Sequence, residues 1–262
     1  MRLAIVTPVV LQNQELLEVT LEAVRHFVTR HEATLYLMCN RLTVCSMDGL
    51  QAKVAENFLG PVRISYDSGT DRCVSESWNE GCKIAVADGV DYMAIIANDT
   101  RLKPDCLDHL VDYGERGTAD IWSGIAYNGR KPIEGCAESD GSDFSCVMLR
   151  PQTLERHGWF DPNYRPAYFE DNDYYGRVVL GGGKCRVVHA AQFFHHGCLT
   201  YRKDPQVAEQ VQKWLRKNGE YFTRKWGVPK PLNSAEEVLA HYFRNPFNDS
   251  GKALGWFPEV AG

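Results

Sequence analysis

Four short apolar runs constrain this chain more than any other feature. They occupy residues 3–10 (LAIVTPVV), 33–40 (ATLYLMCN), 62–67 (VRISYD) and 91–99 (DYMAIIAND). Each has strand length and reads as a buried strand. Between them lie segments of helical period. Residues 14–28 place Leu17, Leu21, Val24 and Phe27/Val28 on one face, and residues 74–87 do the same with Val74, Trp78, Cys82 and Ala85. Pro104 opens a further helix with Leu107, Leu110 and Val111 facing inward. The order strand, helix, strand, strand, helix, strand, helix predicts an α/β fold with a mostly parallel central sheet flanked by helices. Ligands in such sheets bind beyond the carboxyl ends of the strands. Asn40, Asp67 and Asp99 fall at those predicted ends.

The pattern loosens after residue 115. IWSGIAYN and FSCVMLR read as strands, and CRVVHAAQFFHHG as further short ones. The polar stretch GRKPIEGCAESDGSD is either a lid or a plain surface excursion. PQVAEQVQKWLRKNGEYFTRKW reads as one or two helices, and the GGG at 181–183 as a turn, since it lacks the spacing of a phosphate loop. At 262 residues the chain is long enough to bury a core without staples. We expect one domain over 1–200 and a helical C-terminal extension over 201–262. The nine cysteines are odd in number and form no CxxC pair, which favours free thiols in a reducing, cytoplasmic setting. The first apolar run stops at Pro8 and reads as a strand rather than a signal peptide. No apolar run approaches the length of a membrane span.

Net charge is −5, unevenly spread: residues 201–230 hold eight Lys/Arg against three Asp/Glu. Trp214, Tyr221, Phe222 and Trp226 lie among those cations. A solvated helix face accounts for such a run, and so does contact with an anionic acceptor or surface.

The stretch YFEDNDYYGRVVLGGGK, residues 168–184, is unusual in another way. Glu170 and Asp171 are adjacent carboxylates preceded by Tyr168 and Phe169, and aromatic walls raise the cost of ionising them. Asp173 stands four residues before Arg177, the spacing of a helical ion pair.

Taken with IVTPVV, VSESWNEGCKIA, IIANDTRLKPDCLDHLV, LERHGWFDPNYRPAYFEDNDYYGRVVLGGGK, HHGCLT and YFTRKWG, this stretch resembles family 2 glycosyltransferases of the GT-A fold, over roughly residues 1–227. Asn79-Glu80-Gly81 is similar to an Asn-x-Gly signature, and Ala97-Asn98-Asp99 stands where the family has Asp-x-Asp. Two departures bear on donor identity and metal affinity. Asn40 stands where an Asp is common, and Ala97 replaces the first acid of Asp-x-Asp.

The resemblance implies a Rossmann-like GT-A domain with a nucleotide-sugar half over about 1–115 and an acceptor half over about 116–200. It implies a metal-dependent, inverting transfer of a sugar from a nucleoside-diphosphate sugar, a UDP-sugar foremost, to an acceptor hydroxyl. Asp171 would be the base, with Glu170 beside it. Asp99 with His195, or His196 in its place, would hold Mn²⁺ or Mg²⁺, the imidazole tilting the choice towards Mn²⁺. Thr7, Pro8, Val9, Asn40, Arg72, Asn79 and Asn98 would line the nucleotide pocket, while Trp159 and Tyr168 would stack on the acceptor. That acceptor is open among a glycan, a lipid-linked sugar, a protein, a small molecule and modified nucleic acid. Two alternatives stand beside transfer: a degenerate carbohydrate- or nucleotide-binding member, and a nucleotidyltransferase.

Overall fold

The structure, a computed structural model, describes residues 1–66, 72–129, 132, 137–197, 205–228 and 234–242. Asp67 and the turn signal after it, much of the polar loop after residue 129, and residues 201–204 and 229–230 of the basic segment lie outside the described residues.

Four strands form the first half of the sheet: β1 (Arg2–Leu11), β2 (Glu32–Leu42), β3 (Val62–Tyr66) and β4 (Tyr92–Ile96). They run parallel in the order β3-β2-β1-β4. The crossovers are α1 (Gln14–Arg25), α2 (Met47–Ala55) and α3 (Val74–Ala87). Sequence periodicity misses α2, because it is short and buries only Leu50 and Val54. Burial on both faces explains the apolar runs. Along β1, Leu3, Ile5 and Val9 enter a core under α1, α2 and the later helix over Cys106–Arg116, while Ala4 and Val6 enter a second core under α3. Gly81 makes α3 fit: a Cβ there would stand 3.2 Å from Met38 Sδ and collide with Val6.

Beyond β4 the sheet turns mixed. The further elements are β5 (Thr100–Leu102), α4 (Cys106–Arg116), β6 (Ile121–Ala126), β7 (Glu138–Asp140), β8 (Cys146–Leu149), α5 (Pro151–His157), α6 (Glu170–Leu180) and β9 (Cys185–His195). The order continues β4-β8-β6-β9-β5, with β7 also pairing β9. β9 is one strand of 11 residues rather than several short ones. The triple glycine is a turn, as expected. Side chains on Gly181 or Gly183 would press on the His157 imidazole at 2.8–2.9 Å, and Gly182 has φ +72°. That imidazole is buried against Asp120 at 2.9 Å.

The last described helices are α7 (Pro205–Trp226) and α8 (Ala235–Tyr242). They are packed into the second core: Phe222, Trp226, Val228 and Val238 are buried there with Phe160, Tyr164 and Tyr174. Truncating an aromatic of this kind costs about 3–5 kcal/mol. The basic segment therefore divides. Lys213, Arg216, Lys217 and Arg224 are exposed, whereas the Lys225 side chain is 8% exposed and its ammonium lies 2.8 Å from Asp161 and 2.6 Å from Asp173. Lys225 is an internal counter-ion, and the part of the segment able to meet an anionic surface does not include it.

Candidate active site

The chain leaves β4 through Ala97-Asn98-Asp99 and enters β5, which pairs with the end of β9 so that Thr100 faces His195. This register sets the two chemistry-bearing side chains together. His195 Nε2 lies 3.2 Å from Asp99 Oδ1, and His195 Nδ1 is 3.1 Å from Ser145 Oγ. The Asp99 carbonyl also accepts from His196 N at 3.0 Å. Side chains alternate across a strand, and His196 goes the other way. Its Nε2 accepts from Arg101 Nε at 3.1 Å and its ring meets Phe194. Of the two histidines expected to serve a metal, the fold brings only His195 to Asp99. Asn98 turns back to α1, donating to Thr20 Oγ1 at 3.0 Å.

Asp171 occupies the first turn of α6. Tyr168 and Phe169, just before it, have φ of 82° and 75°, a left-handed conformation that non-glycine residues rarely adopt. Each costs on the order of 1–3 kcal/mol and persists only where the surroundings enforce it. A helix N-terminus ordinarily favours ionised carboxylates. Here burial wins. It raises the pKa of Asp171, with the charge of Asp143 adding to the effect, and it raises Glu170 well above the usual range, with Asp171 adding. Asp171 is half-buried and accepts from Asn172 N at 2.8 Å. Glu170 is 7% exposed, and its Oε2 has no hydrogen-bond partner among the described residues.

Asp143 connects the two groups, and sequence reasoning missed it. Ser123 Oγ accepts from its backbone N–H at 2.8 Å, and its carboxylate accepts from Ser145 N at 3.0 Å. Polar contacts thus run from Asp99 through His195 and Ser145 to Asp143, and the Asp143 charge acts on Asp171. The weak sequence signal for it was an acid just before the strand that pairs with β4.

Asp173 is elsewhere. It is fully buried, and besides Lys225 it takes hydrogen bonds from Arg177 Nε at 3.0 Å, Tyr164 Oη at 3.1 Å and Trp226 Nε1 at 2.9 Å. The expected Asp173–Arg177 pair is present, inside the core.

Pro8 lies towards the end of β1 and Asn40 towards that of β2, and Arg72, just before α3, reaches back to β3. Between Val9–Cys39 and Val10–Arg41 the register slips by one, leaving Asn40 as the bulged residue. Its Oδ1 accepts from Ser77 Oγ at 3.0 Å. Arg72 reaches Ser65 Oγ at 3.4 Å. Thr7 and Val9 are buried, and Thr7 Oγ1 has no hydrogen-bond partner among the described residues. Asn79 and Trp159 serve the scaffold. Asn79 makes a reciprocal pair with the Phe160 backbone at 2.8 and 2.9 Å. Trp159 carries the Lys83 ammonium 5.6 Å from its ring centre and packs on the second core. Tyr168 is half-buried at the entrance to the Asp171 segment.

A carboxylate and an imidazole at 3.2 Å suit a divalent ion that takes its remaining ligands from diphosphate and water. Among the described residues no three His, Cys, Asp or Glu side chains converge as a complete metal cage. No helix among them is long and apolar enough to cross a membrane.

No family model matches the sequence, and no curated protein does. Solved structures do match in fold. S. aureus TarS 1-349 superposes with a TM-score of 0.59 at 10% identity, over 93% of this chain and 71% of that one. Its complex with UDP-GlcNAc gives 0.60 at 11%, over 93% and 72%. The mannosyltransferase PcManGT from Pyrobaculum calidifontis, in complex with GDP-Man and Mn²⁺, gives 0.59 at 14%, over 92% and 69%. The chain thus has the α/β, GT-A-like fold of these glycosyltransferases.

Proposed function

We propose that the chain is a nucleotide-sugar-dependent glycosyltransferase of family 2 type. The observation that carries this reading is the Asp99–His195 pair at the end of β4, joined through Ser145 to Asp143, whose charge acts on the half-buried Asp171. Two structural neighbours were solved with UDP-GlcNAc or with GDP-Man and Mn²⁺, which supports a nucleoside-diphosphate sugar as donor. A UDP-sugar is the first choice.

Asp99 and His195 would hold a divalent cation, Mn²⁺ before Mg²⁺. When bound, the cation neutralises charge on the leaving diphosphate. Pro8, Asn40 and Arg72 would line the nucleotide end, where the Arg72 guanidinium would meet phosphate. Asp171 accepts the proton of the acceptor hydroxyl as that oxygen bonds to the anomeric carbon and the carbon–phosphate oxygen bond breaks, with inversion. Burial makes the ionised Asp171 a stronger base than an exposed aspartate. Glu170, whose proton affinity burial raises, would hold the acceptor or orient the loop.

The test is a hydrolysis screen over common nucleotide sugars with and without Mn²⁺, followed by acceptor trials with the donor that is turned over. Mn²⁺-dependent hydrolysis of one donor, lost in Asp99→Ala, is the expected result. A chain that neither binds nor hydrolyses any nucleotide sugar overturns the reading.

A further inference from the structure

We infer that α7 is the positioning element of the base segment: it grips the chain on both sides of Asp171, with Asn218 as the residue that sets the segment's backbone. The inference rests on Asp171 being the base.

Two consecutive left-handed residues, Tyr168 and Phe169, lead into α6, and neither is glycine. Such a conformation needs outside enforcement. It comes from one side chain on α7. Asn218 Nδ2 donates to Ala167 O at 2.7 Å and to Tyr168 O at 3.2 Å. Asn218 is fully buried in the interior of a helix, where asparagine is a poor residue. Its Oδ1 has no hydrogen-bond partner among the described residues. The donating half of the amide is therefore the half in use, and it is spent on the strained carbonyls.

The next residues of α7 complete the grip. The Phe169 ring stands over Gly219, where a Cβ would come within 3.3 Å of its Cζ, and meets the Phe222 ring at 5.4 Å between centres. One turn further on, Trp226 and Lys225 bind Asp173. Contacts at 167–169 and at 173 bracket Asp171. The charged and titratable groups acting on Asp171 and its neighbour Glu170 are Asp143 and Asp173 besides each other. Through Asn218 α7 acts on the backbone before Asp171, and through Lys225 it offsets the charge of Asp173.

Three variants test this: Asn218→Ala, Gly219→Ala and, as a control on the exposed face, Lys217→Ala. Asn218→Ala should lower kcat for transfer by about 10–100-fold, a part of what a positioned base supplies, and leave the affinity for donor nucleotide within about twofold. The acid limb of its pH–rate profile should move to lower pH, because a loosened segment solvates Asp171 and its pKa falls. Amide exchange over 168–173 should quicken. Gly219→Ala, which adds a good helix former, should retain Tm yet lose kcat as the Phe169 ring is displaced. Lys217→Ala should match the wild type in amide exchange over 168–173 and in the acid limb. If Asn218→Ala and Gly219→Ala keep kcat and the acid limb, the inference falls. It falls also if they lose rate only in proportion to lost folded protein. If the wild type transfers no sugar, the base reading is what has failed, and the exchange measurement alone decides whether α7 holds the segment.

Discussion

Lys225 Nζ lies 2.6 Å from Asp173 Oδ1, deep between α7 and α6. The same ammonium reaches Asp161 at 2.8 Å, and Arg177 closes the other side of Asp173 at 3.0 Å. Two carboxylates and two cations are thus buried together, joined by the Tyr164, Tyr221 and Trp226 polar atoms. Taking one member away strands the others in a medium of low dielectric. Lys225→Ala should destabilise the fold by about 3–5 kcal/mol, measured by urea unfolding. Arg224→Ala, on the exposed neighbour, should change it by less than about 0.5 kcal/mol. Similar small losses in both would show that the network does not hold α7.

The carboxylates of this region should respond to pH in opposite senses. Burial alone would raise Asp173, but Lys225 and Arg177 outweigh it and lower its pKa. Its contribution is present above the unfolded value of about 3.9 and is lost as pH falls through the folded one. For Glu170, burial and then Asp171 raise the pKa. The native state then holds a proton the unfolded chain has released, so stability falls as pH rises from about 4.3 towards the folded value. Glu170→Gln should therefore gain stability relative to wild type on going from pH 4.5 to pH 8. Asp171 retains a smaller slope of the same sign. Denaturation midpoints at the two pH values decide it; a relative loss at pH 8 contradicts the assignment.

β1, β2 and β4 were legible because parallel strands covered on both faces are mostly apolar, while β3, at the sheet edge with Arg63 and Tyr66 exposed, alternates. α2 was not legible, since two buried residues make no stripe. At the site, sequence could mark Asp99, His195 and Asp171 by residue type and position along the chain. It could not give side-chain direction. Asn98 and His196 sit one residue from Asp99 and His195, yet they face α1 and Arg101, and Asn79 and Trp159 meet the Phe160 backbone and Lys83. Counting charge likewise counted Lys225 with the surface, although Phe222 and Trp226 beside it face inward. Asp143 has no motif of its own, and its place depends on a hydrogen bond to Ser123 across the sheet.

The two histidines separate by direction alone. His195 shares Asp99; His196 binds Arg101. His195→Ala should weaken Mn²⁺-dependent nucleotide binding at least about tenfold, a loss of about 1.4 kcal/mol, and Asp99→Ala should abolish the Mn²⁺ dependence. His196→Ala should stay within about threefold. Titration calorimetry with UDP and GDP, with and without Mn²⁺, reads all three. A strong effect confined to His196→Ala would move the metal to the other face of β9.

Asp171→Asn is the sharpest test of the chemistry. It keeps the shape of the side chain and the contact to Asn172 N, and it removes the proton acceptor. General-base catalysis contributes about 10²–10⁴-fold, so transfer should fall by that order. Donor affinity should hold, because the proton comes from the acceptor. Asp173→Asn removes the same charge two residues away, and the comparison needs care. Asp173 is fully buried with four donors upon it, so its neutral variant should lower Tm as well as rate. The milder outcome that its pairing with Arg177 alone would give is not expected. Rate per folded molecule separates the two: it should collapse for Asp171→Asn and recover for Asp173→Asn once the folded fraction is taken into account. A dead Asp173→Asn with wild-type Tm, beside an active Asp171→Asn, would move the base by two residues. If both remain active per folded molecule, either the base lies elsewhere or the transfer retains configuration, and the anomeric configuration of the product by NMR distinguishes those outcomes.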